Sequence, residues 1–303
     1  MSGIVKPMPG ARNPMAETPR HFYPVAYAQN LVARALIGFA LILPYRVRVP
    51  LLGGLMRHVF GPIAGYKRRA LDNLAMIWPD LPVKRRLEIT NQALDNAGRT
   101  LIENYSTAAF TARQSCVIPT GAGVKALEQA MQTGRPVILV SGHFGNYEAA
   151  RACLVARGAR IGGLYRPMAN PYFNAHYVQT MEAFGGPIFA TGRAGTAGFV
   201  RHLKSGGLLV LLFDQSAPGE AIDFLGKPAQ TALSAAELAL RYDADLIPFY
   251  GTRQPDGLSF AVDLEAPIPA TTALEMTQAL TRSLAARVRE NPGQWFWIHR
   301  RWK

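Results

Sequence analysis

Two short runs restrict the fold more than anything else in the chain. Pro136 to Val140 and Leu208 to Phe213 are apolar at every position, and each is bounded by turn residues. A strand exposed on one face would alternate apolar and polar residues; continuous apolarity over so few residues marks a strand covered on both faces. Arg160 to Tyr165, Ile188 to Ala190, Asp245 to Thr252 and Ser259 to Leu264 read as further strands. Helical patterns lie between or beside them, at Gly121 to Thr133, Tyr147 to Arg157, Tyr172 to Phe184, Ala194 to Lys204, Thr231 to Tyr242 and Ala273 to Glu290. Alternation of this kind predicts an α/β protein with a mostly parallel central sheet and helices on both faces.

Ligands in such sheets bind beyond the carboxyl ends of the strands. There the sequence places His143, Arg166 and the pair Asp214-Gln215. After the first run come Ser141, Gly142, His143, Phe144, Gly145 and Asn146, then an alanine-rich helix. Asn146 suits the N-cap of that helix, and Glu148 falls in its first turn, where negative charge is favoured. His143 and Glu148 are five positions apart, so on one continuous helix they would face different ways. They meet only if His143 sits in a turn that doubles back, which Gly142 and Gly145 permit. An imidazole held by a carboxylate through one nitrogen keeps the other as a base. The plainer reading is a strand-end histidine beside a solvated helix-start glutamate.

The chain has 303 residues, 33 Lys and Arg against 20 Asp and Glu, and a net charge of +13. So basic a surface favours anionic partners: phosphorylated substrates, acidic proteins, membranes or nucleic acid. The positive residues are scattered rather than striped and no nucleic-acid motif is present, which disfavours nucleic acid. Cys116 and Cys153 make neither a disulfide framework nor a metal motif and fit a reducing compartment.

The N-terminal third has a different texture. Residues 1–26 lack a signal-peptide pattern and read as a flexible leader. Residues 27–66 hold two apolar segments, Tyr27 to Val49 and Leu51 to Gly65, interrupted by Arg34, Arg46, Arg57 and His58. They read as membrane-facing helices lying in the interface, or as one tilted span near Leu36; a core hairpin is the alternative. From residue 67 to 303 the chain reads as the α/β domain. It begins with an amphipathic helix, Arg69 to Pro79, behind the basic Lys67 to Arg69, and continues with a long helix from Lys84 to Ala109.

No Gly-x-Ser-x-Gly elbow, P-loop, dinucleotide fingerprint or HExxH motif occurs, and the histidines are scattered. Serine hydrolysis, nucleotide binding and a bound metal are therefore disfavoured, and no cofactor is expected. Base-assisted transfer to a hydroxyl remains.

Several blocks in order resemble one family. His143-Phe-Gly-Asn-Tyr-Glu148 resembles the HX4E/D motif of the bacterial lipid A biosynthesis acyltransferases, the lauroyl/myristoyl group. Arg69 to Pro79 with Asn73-Leu74, Tyr165 to Phe173, Phe213-Asp-Gln215 and Gln294-Trp-Phe-Trp-Ile-His-Arg-Arg-Trp-Lys303 resemble its other blocks, so the likeness runs from about Tyr27 to the end. It implies a fold like that of the glycerolipid acyltransferases. The implied activity moves an acyl group from acyl carrier protein to a hydroxyl of an acylated, phosphorylated disaccharide. The implied place is the cytoplasmic face of the inner membrane. The related mycobacterial mannoside acyltransferases, which use acyl-coenzyme A and a mannolipid, are the alternative. A non-catalytic membrane-binding module is a further one.

On that resemblance His143 is the general base and Glu148 holds its ring. Backbone N–H groups at Gly145 and Asn146 are candidate oxyanion donors. Arg166 would serve the oxyanion or a substrate phosphate. Asp214 and Gln215 would orient the acceptor or Arg166, and Glu220 is an additional acidic group of lower rank. Trp295, Trp297 and Trp302, with Arg300, Arg301 and Lys303, read either as a headgroup-level belt or, for the first two, as core.

Overall fold

A computed structural model describes residues 22–302. The expected leader therefore lies outside the described residues as far as residue 21, and a helix already begins at Pro24. The N-terminal part is helical: α1 (Pro24–Ile42), α2 (Tyr45–Leu55), a π-helical turn Met56–Phe60, the short α3 (Gly61–Ile63), α4 (Tyr66–Ile77), α5 (Val83–Tyr105), α6 (Thr107–Gln114) and α7 (Gly123–Thr133). There follow β1 (Val137–Ser141), α8 (Tyr147–Val155), β2 (Ile161–Tyr165), α9 (Pro171–Glu182), β3 (Ile188–Ala190), α10 (Arg193–Lys204) and β4 (Leu208–Leu212). The chain closes with β5 (Glu220–Phe224), β6 (Lys227–Thr231), α11 (Ser234–Tyr242), β7 (Asp245–Arg253), β8 (Phe260–Leu264) and α12 (Ala273–Glu290).

The main sheet has the order β3-β2-β4-β1-β7-β8. All its pairings are parallel except the last, between β7 and β8. Both faces are covered, which is why β4 and β1 as far as Val140 are apolar. Val137 and Leu139 enter one core with Leu208 and Val210, under α7 and α8. Ile138 and Val140 enter another with Leu209, under α10, α11 and α12. The mixed architecture with a mostly parallel sheet agrees with the expectation from the apolar runs.

Two segments depart from the periodicity. The helix expected over Lys84 to Ala109 breaks at Ser106, which leaves the αR basin at ψ 33° while its hydroxyl bonds back to Ile102 O at 2.6 Å. Such back-bonding competes with the helical ladder. The stretch after Gln215 forms the β5–β6 hairpin, whose register pairs Glu220 with Thr231 and Phe224 with Lys227. Its strands mix exposed charges with inward Ile222, Phe224 and Ala229, too short a pattern to separate from loop. Glu220 is exposed at its outer end.

Helix α1 is long and apolar enough to cross a membrane by length and composition, with 11% of its most apolar window buried. Asn30 and Ala40 face the protein, whereas Leu36, Phe39 and Ile42 are 63–78% exposed. Its N-terminal end is tied to α9: the Tyr23 N–H donates to the Tyr172 hydroxyl, and the Asn170 amide donates to Ala26 O at 2.8 Å.

Candidate active site

The parallel register of β1 and β4 pairs Ser141 with Leu212. Two residues further along each chain come His143 and Asp214, so neighbouring strands deliver them side by side. His143 Nδ1 lies 2.7 Å from Asp214 Oδ1, and the His143 backbone N–H donates to Asp214 Oδ2 at 2.8 Å. The Trp295 indole N–H donates to the same Oδ2 at 2.9 Å. An ionised carboxylate only accepts, so Nδ1 carries the proton and neutral His143 has its lone pair on Nε2. Burial alone would push the Asp214 carboxyl up. The charge of His143 and the hydrogen bonds from it outweigh this and hold the group well below the usual carboxylate range. The imidazole side chain is 25% exposed, with Asp214 buried behind it.

This corrects the expectation for Glu148. Its carboxylate is buried and receives a bond from Arg151 Nη1 at 2.9 Å, one helical turn on. The carboxylate on the His143 ring is Asp214. The turn does double back, but it delivers the imidazole to β4 rather than to the first turn of α8. Burial raises the Glu148 carboxyl, and Arg151 opposes that rise. Arg151 also donates to Met181 O at 3.0 Å, so the pair joins α8 to the end of α9.

Asn146 caps α8 as its position suggested, accepting from the Glu148 N–H at 3.0 Å. The oxyanion expectation for Gly145 and Asn146 does not hold. The Gly145 N–H donates to Gln294 O and the Asn146 N–H to Gly251 O, both at 2.9 Å. These groups hold the loop. Asn96 donates to Gly145 O at 3.0 Å and accepts from Arg253 Nε at 2.7 Å. Arg253 forks onto buried Glu103, which also takes the Asn146 amide at 2.9 Å. The loop thus rests on a buried, mutually satisfied polar network, which fixes its shape.

Gly145 has φ +55°, and a Cβ there would lie 2.0 Å from Gly251 O. Gly145→Ala should therefore cost about 1–2 kcal/mol from the left-handed backbone alone, and relief of the clash must displace β7. Thermal unfolding by circular dichroism should show a lowered midpoint together with reduced activity.

Gln215 is exposed, and its amide nitrogen lies 3.5 Å from His143 Nε2. Arg166 is exposed just past β2, and no described contact joins it to His143 or to Asp214-Gln215. On one flank of His143 lies a small, mainly apolar cavity of about 190 Å³, lined by Ala93, Ala97, Leu101, Tyr147 and Phe296 among others.

The C-terminal segment closes the site. The Phe296 N–H donates to His143 O at 3.0 Å. Asn73 donates to Trp297 O at 2.7 Å and His299 O at 2.8 Å, so the Asn-Leu block of α4 holds the tryptophan block in place. Trp295 and Trp297 are fully buried and Arg301 is 1% exposed. The belt reading is thereby corrected for these three: the segment is core. Arg301 donates to Gln230 O and the Thr231 hydroxyl, both at 2.5 Å, and to Gln215 O at 3.4 Å, which ties the hairpin to the Gln215 loop.

Sequence reasoning missed His299. Its ring lies 4.6 Å from the His143 ring, and its Nε2 is buried without a partner. Burial, and then the charge of His143, push it down to about 4, so it is neutral beside the base. His143, Asp214 and His299 bring one ligand-type atom each within 4.8 Å of one another, though far apart in sequence. Both Asp214 oxygens already accept N–H donors, an arrangement that suits an oriented base. The Trp-x-Trp-x-His spacing was the only signal for His299, and it carried no partner with it.

The chain is matched over residues 15–303 by the family described as bacterial lipid A biosynthesis acyltransferase. A lipid A biosynthesis acyltransferase of Haemophilus influenzae is 22% identical over 84% of this chain and 81% of its own length. The lipid A biosynthesis lauroyltransferase of Escherichia coli is 24% identical over 78% and 80%. The phosphatidylinositol mannoside acyltransferase of Mycobacterium tuberculosis is 22% identical over 59% and 58%. With the family match running over nearly its whole length, this chain is an acyltransferase and belongs to the bacterial lipid A biosynthesis acyltransferase family.

Proposed function

We propose that the protein transfers a fatty acyl group from acyl carrier protein to a hydroxyl of a lipid A precursor, an anionic phosphorylated glycolipid. The observation that carries this reading is the Nδ1 bond to Asp214, which leaves the Nε2 lone pair of a partly exposed imidazole as a base, with only a long contact from the Gln215 amide beside it. Nε2 takes the acceptor proton as that oxygen attacks the thioester carbonyl. Asp214 holds the tautomer and steadies the imidazolium. The Gln215 amide, 3.5 Å from Nε2, donates to the oxygen that becomes negative in this reading. When the carbon–sulfur bond breaks, the thiolate takes the proton back from Nε2. Atoms and charge balance with neither metal nor cofactor. Glu148 supports α8 from behind rather than touching the reacting groups.

The small apolar cavity beside His143 suits the acyl chain near its thioester. The outward apolar face of α1 supports work at a membrane surface, at the cytoplasmic side of the inner membrane where acyl carrier protein is available. The mostly parallel sheet with a histidine at a strand end is consistent with a glycerolipid-acyltransferase-like fold. The basic net charge of +13 favours encounter with an acidic carrier protein and a phosphorylated lipid.

The test uses membranes containing the full chain, acyl-carrier-protein thioester and a lipid A precursor. His143→Ala should lower transfer by about 10²- to 10⁴-fold; unchanged turnover removes His143 as base. The likeness to the mycobacterial mannoside acyltransferase favours one second reading, a coenzyme A donor with a mannolipid acceptor. Wild-type turnover that requires the coenzyme A thioester would select it.

A further inference from the structure

We propose that the cavity lined by Arg69, Gln215, Ser216, Ile298, His299 and Arg300 binds a phosphate of the acceptor and so sets which hydroxyl meets His143. This deepens the acyltransferase reading and rests on it. The cavity measures about 260 Å³. It reaches the base through two of its own walls. The Gln215 amide nitrogen is 3.5 Å from His143 Nε2, and the His299 ring is 4.6 Å from the His143 ring. It shares no lining residue with the apolar cavity that His143 borders. The imidazole therefore lines a greasy space itself and contacts two residues, Gln215 and His299, that line a cationic one.

The lining chemistry selects an anion. Two guanidiniums, an amide and a hydroxyl face the space, and among the described residues no carboxylate lines it. Among the described residues neither Arg69 nor Arg300 has an acidic partner. Arg69 is held in place by its tyrosine neighbour, with the guanidinium 5.9 Å from the Tyr66 ring, and by a 3.4 Å bond from Nη1 to Ile298 O. Most of its donors remain open. Arg300 is exposed and without a described bond. Planar guanidiniums match a phosphate's oxygens in paired fashion. His299, neutral beside the base, adds a buried unpartnered Nε2 on the same wall. Asp214 is buried, and its two oxygens are taken by three N–H donors, which offset its charge.

Both substrates contain phosphate. In the donor it is separated from the thioester by the whole pantetheine arm, too far to sit beside an imidazole that touches the thioester carbonyl. In the acceptor the phosphate and the free hydroxyl to be acylated belong to one glycolipid. The cavity next to His143 therefore fits the acceptor.

The experiment compares wild type, Arg300→Ala and Arg300→Lys in the full-length protein. The acceptors are the phosphorylated glycolipid and its phosphatase-treated counterpart, and thioester hydrolysis is followed without acceptor. Arg300→Ala should raise KM for the phosphorylated acceptor about ten- to a hundredfold, the loss of one charge-assisted contact. Its kcat should change little, and KM for the dephosphorylated acceptor and the hydrolysis rate should not change. Arg300→Lys should recover part of the loss, because it keeps the charge without the fork. An equal KM rise for both acceptors, or none for either, overturns the proposal. So does a KM rise confined to acyl carrier protein and absent with a short acyl-pantetheine donor, which would assign the site to the donor phosphate. Wild type that neither transfers nor hydrolyses overturns the acyltransfer reading beneath it as well, so the two failures look different.

Discussion

Asp214→Asn is expected to reduce turnover by about 10³- to 10⁴-fold, the scale seen when the carboxylate behind a catalytic imidazole becomes an amide. The carboxylate accepts the Nδ1 proton, the His143 backbone N–H and the Trp295 indole N–H. An amide keeps one accepting oxygen and brings an NH₂ that must face one of those three donors. The ring then flips or takes the other tautomer, and Nε2 loses its lone pair toward the acceptor. Steady-state kinetics with acyl-carrier-protein thioester should show the loss in kcat, with KM for the acceptor little changed. Turnover within a few fold of wild type would remove Asp214 from the mechanism. The stability effect has a definite sign. The folded-state carboxyl is held below its ordinary value, so its contribution is fully present above about pH 4 and fades as pH falls through the lower folded value. The variant's deficit in denaturant melts should be largest near neutrality and narrow in acid.

Glu148→Ala is the second large effect, and it should act through stability. Arg151 is 1% exposed and its charge is answered by Glu148. Removing the carboxylate leaves a buried guanidinium with the Met181 carbonyl and a Phe184 ring 5.8 Å away. Breaking one side of a buried pair costs about 3–5 kcal/mol, a fall in melting temperature on the order of 10 °C. Activity should fall with the folded fraction. The decisive variant is Glu148→Met with Arg151→Met, which replaces the pair by apolar groups of similar bulk and should recover most of the stability. If Glu148 only supports α8, that protein also regains transfer activity. A double variant that melts like wild type but stays inactive would put Glu148 among the reacting groups. Activity per folded molecule, from paired melting and rate data, separates the two results.

The contrast between these carboxylates shows where sequence reasoning reached its limit. It placed His143 and Asp214 each at the end of an apolar strand, and it placed Glu148 in a helix start. It then chose the carboxylate five residues away over the one 71 residues away. Near neighbours in sequence can be tested against helix geometry, but strand order cannot be read from apolar runs. The equal two-residue offset of His143 and Asp214 beyond their strands becomes informative only once β1 is known to pair with β4 in that register. The oxyanion assignment failed for a related reason. The Gly145 and Asn146 N–H groups look free at a helix start until Gln294 and β7 are placed against them. Arg166 lies at a strand end as expected, yet β2 is separated from β1 by β4, so it joins a different part of the edge.

Local chemistry was therefore legible: continuous apolar residues dictate strands covered on both faces, glycines permit the turn at His143, and Asn146 caps the helix that follows. These depend on interactions within a few residues, and the sequence contains both partners. The partner of the imidazole, the burial of Trp295 and Trp297, the neutral His299 and the cationic cavity depend on strand order and on the return of residues 294–302 across the site. Those are contacts between distant segments, set by how the cores pack together, and no local pattern encodes which segments will meet.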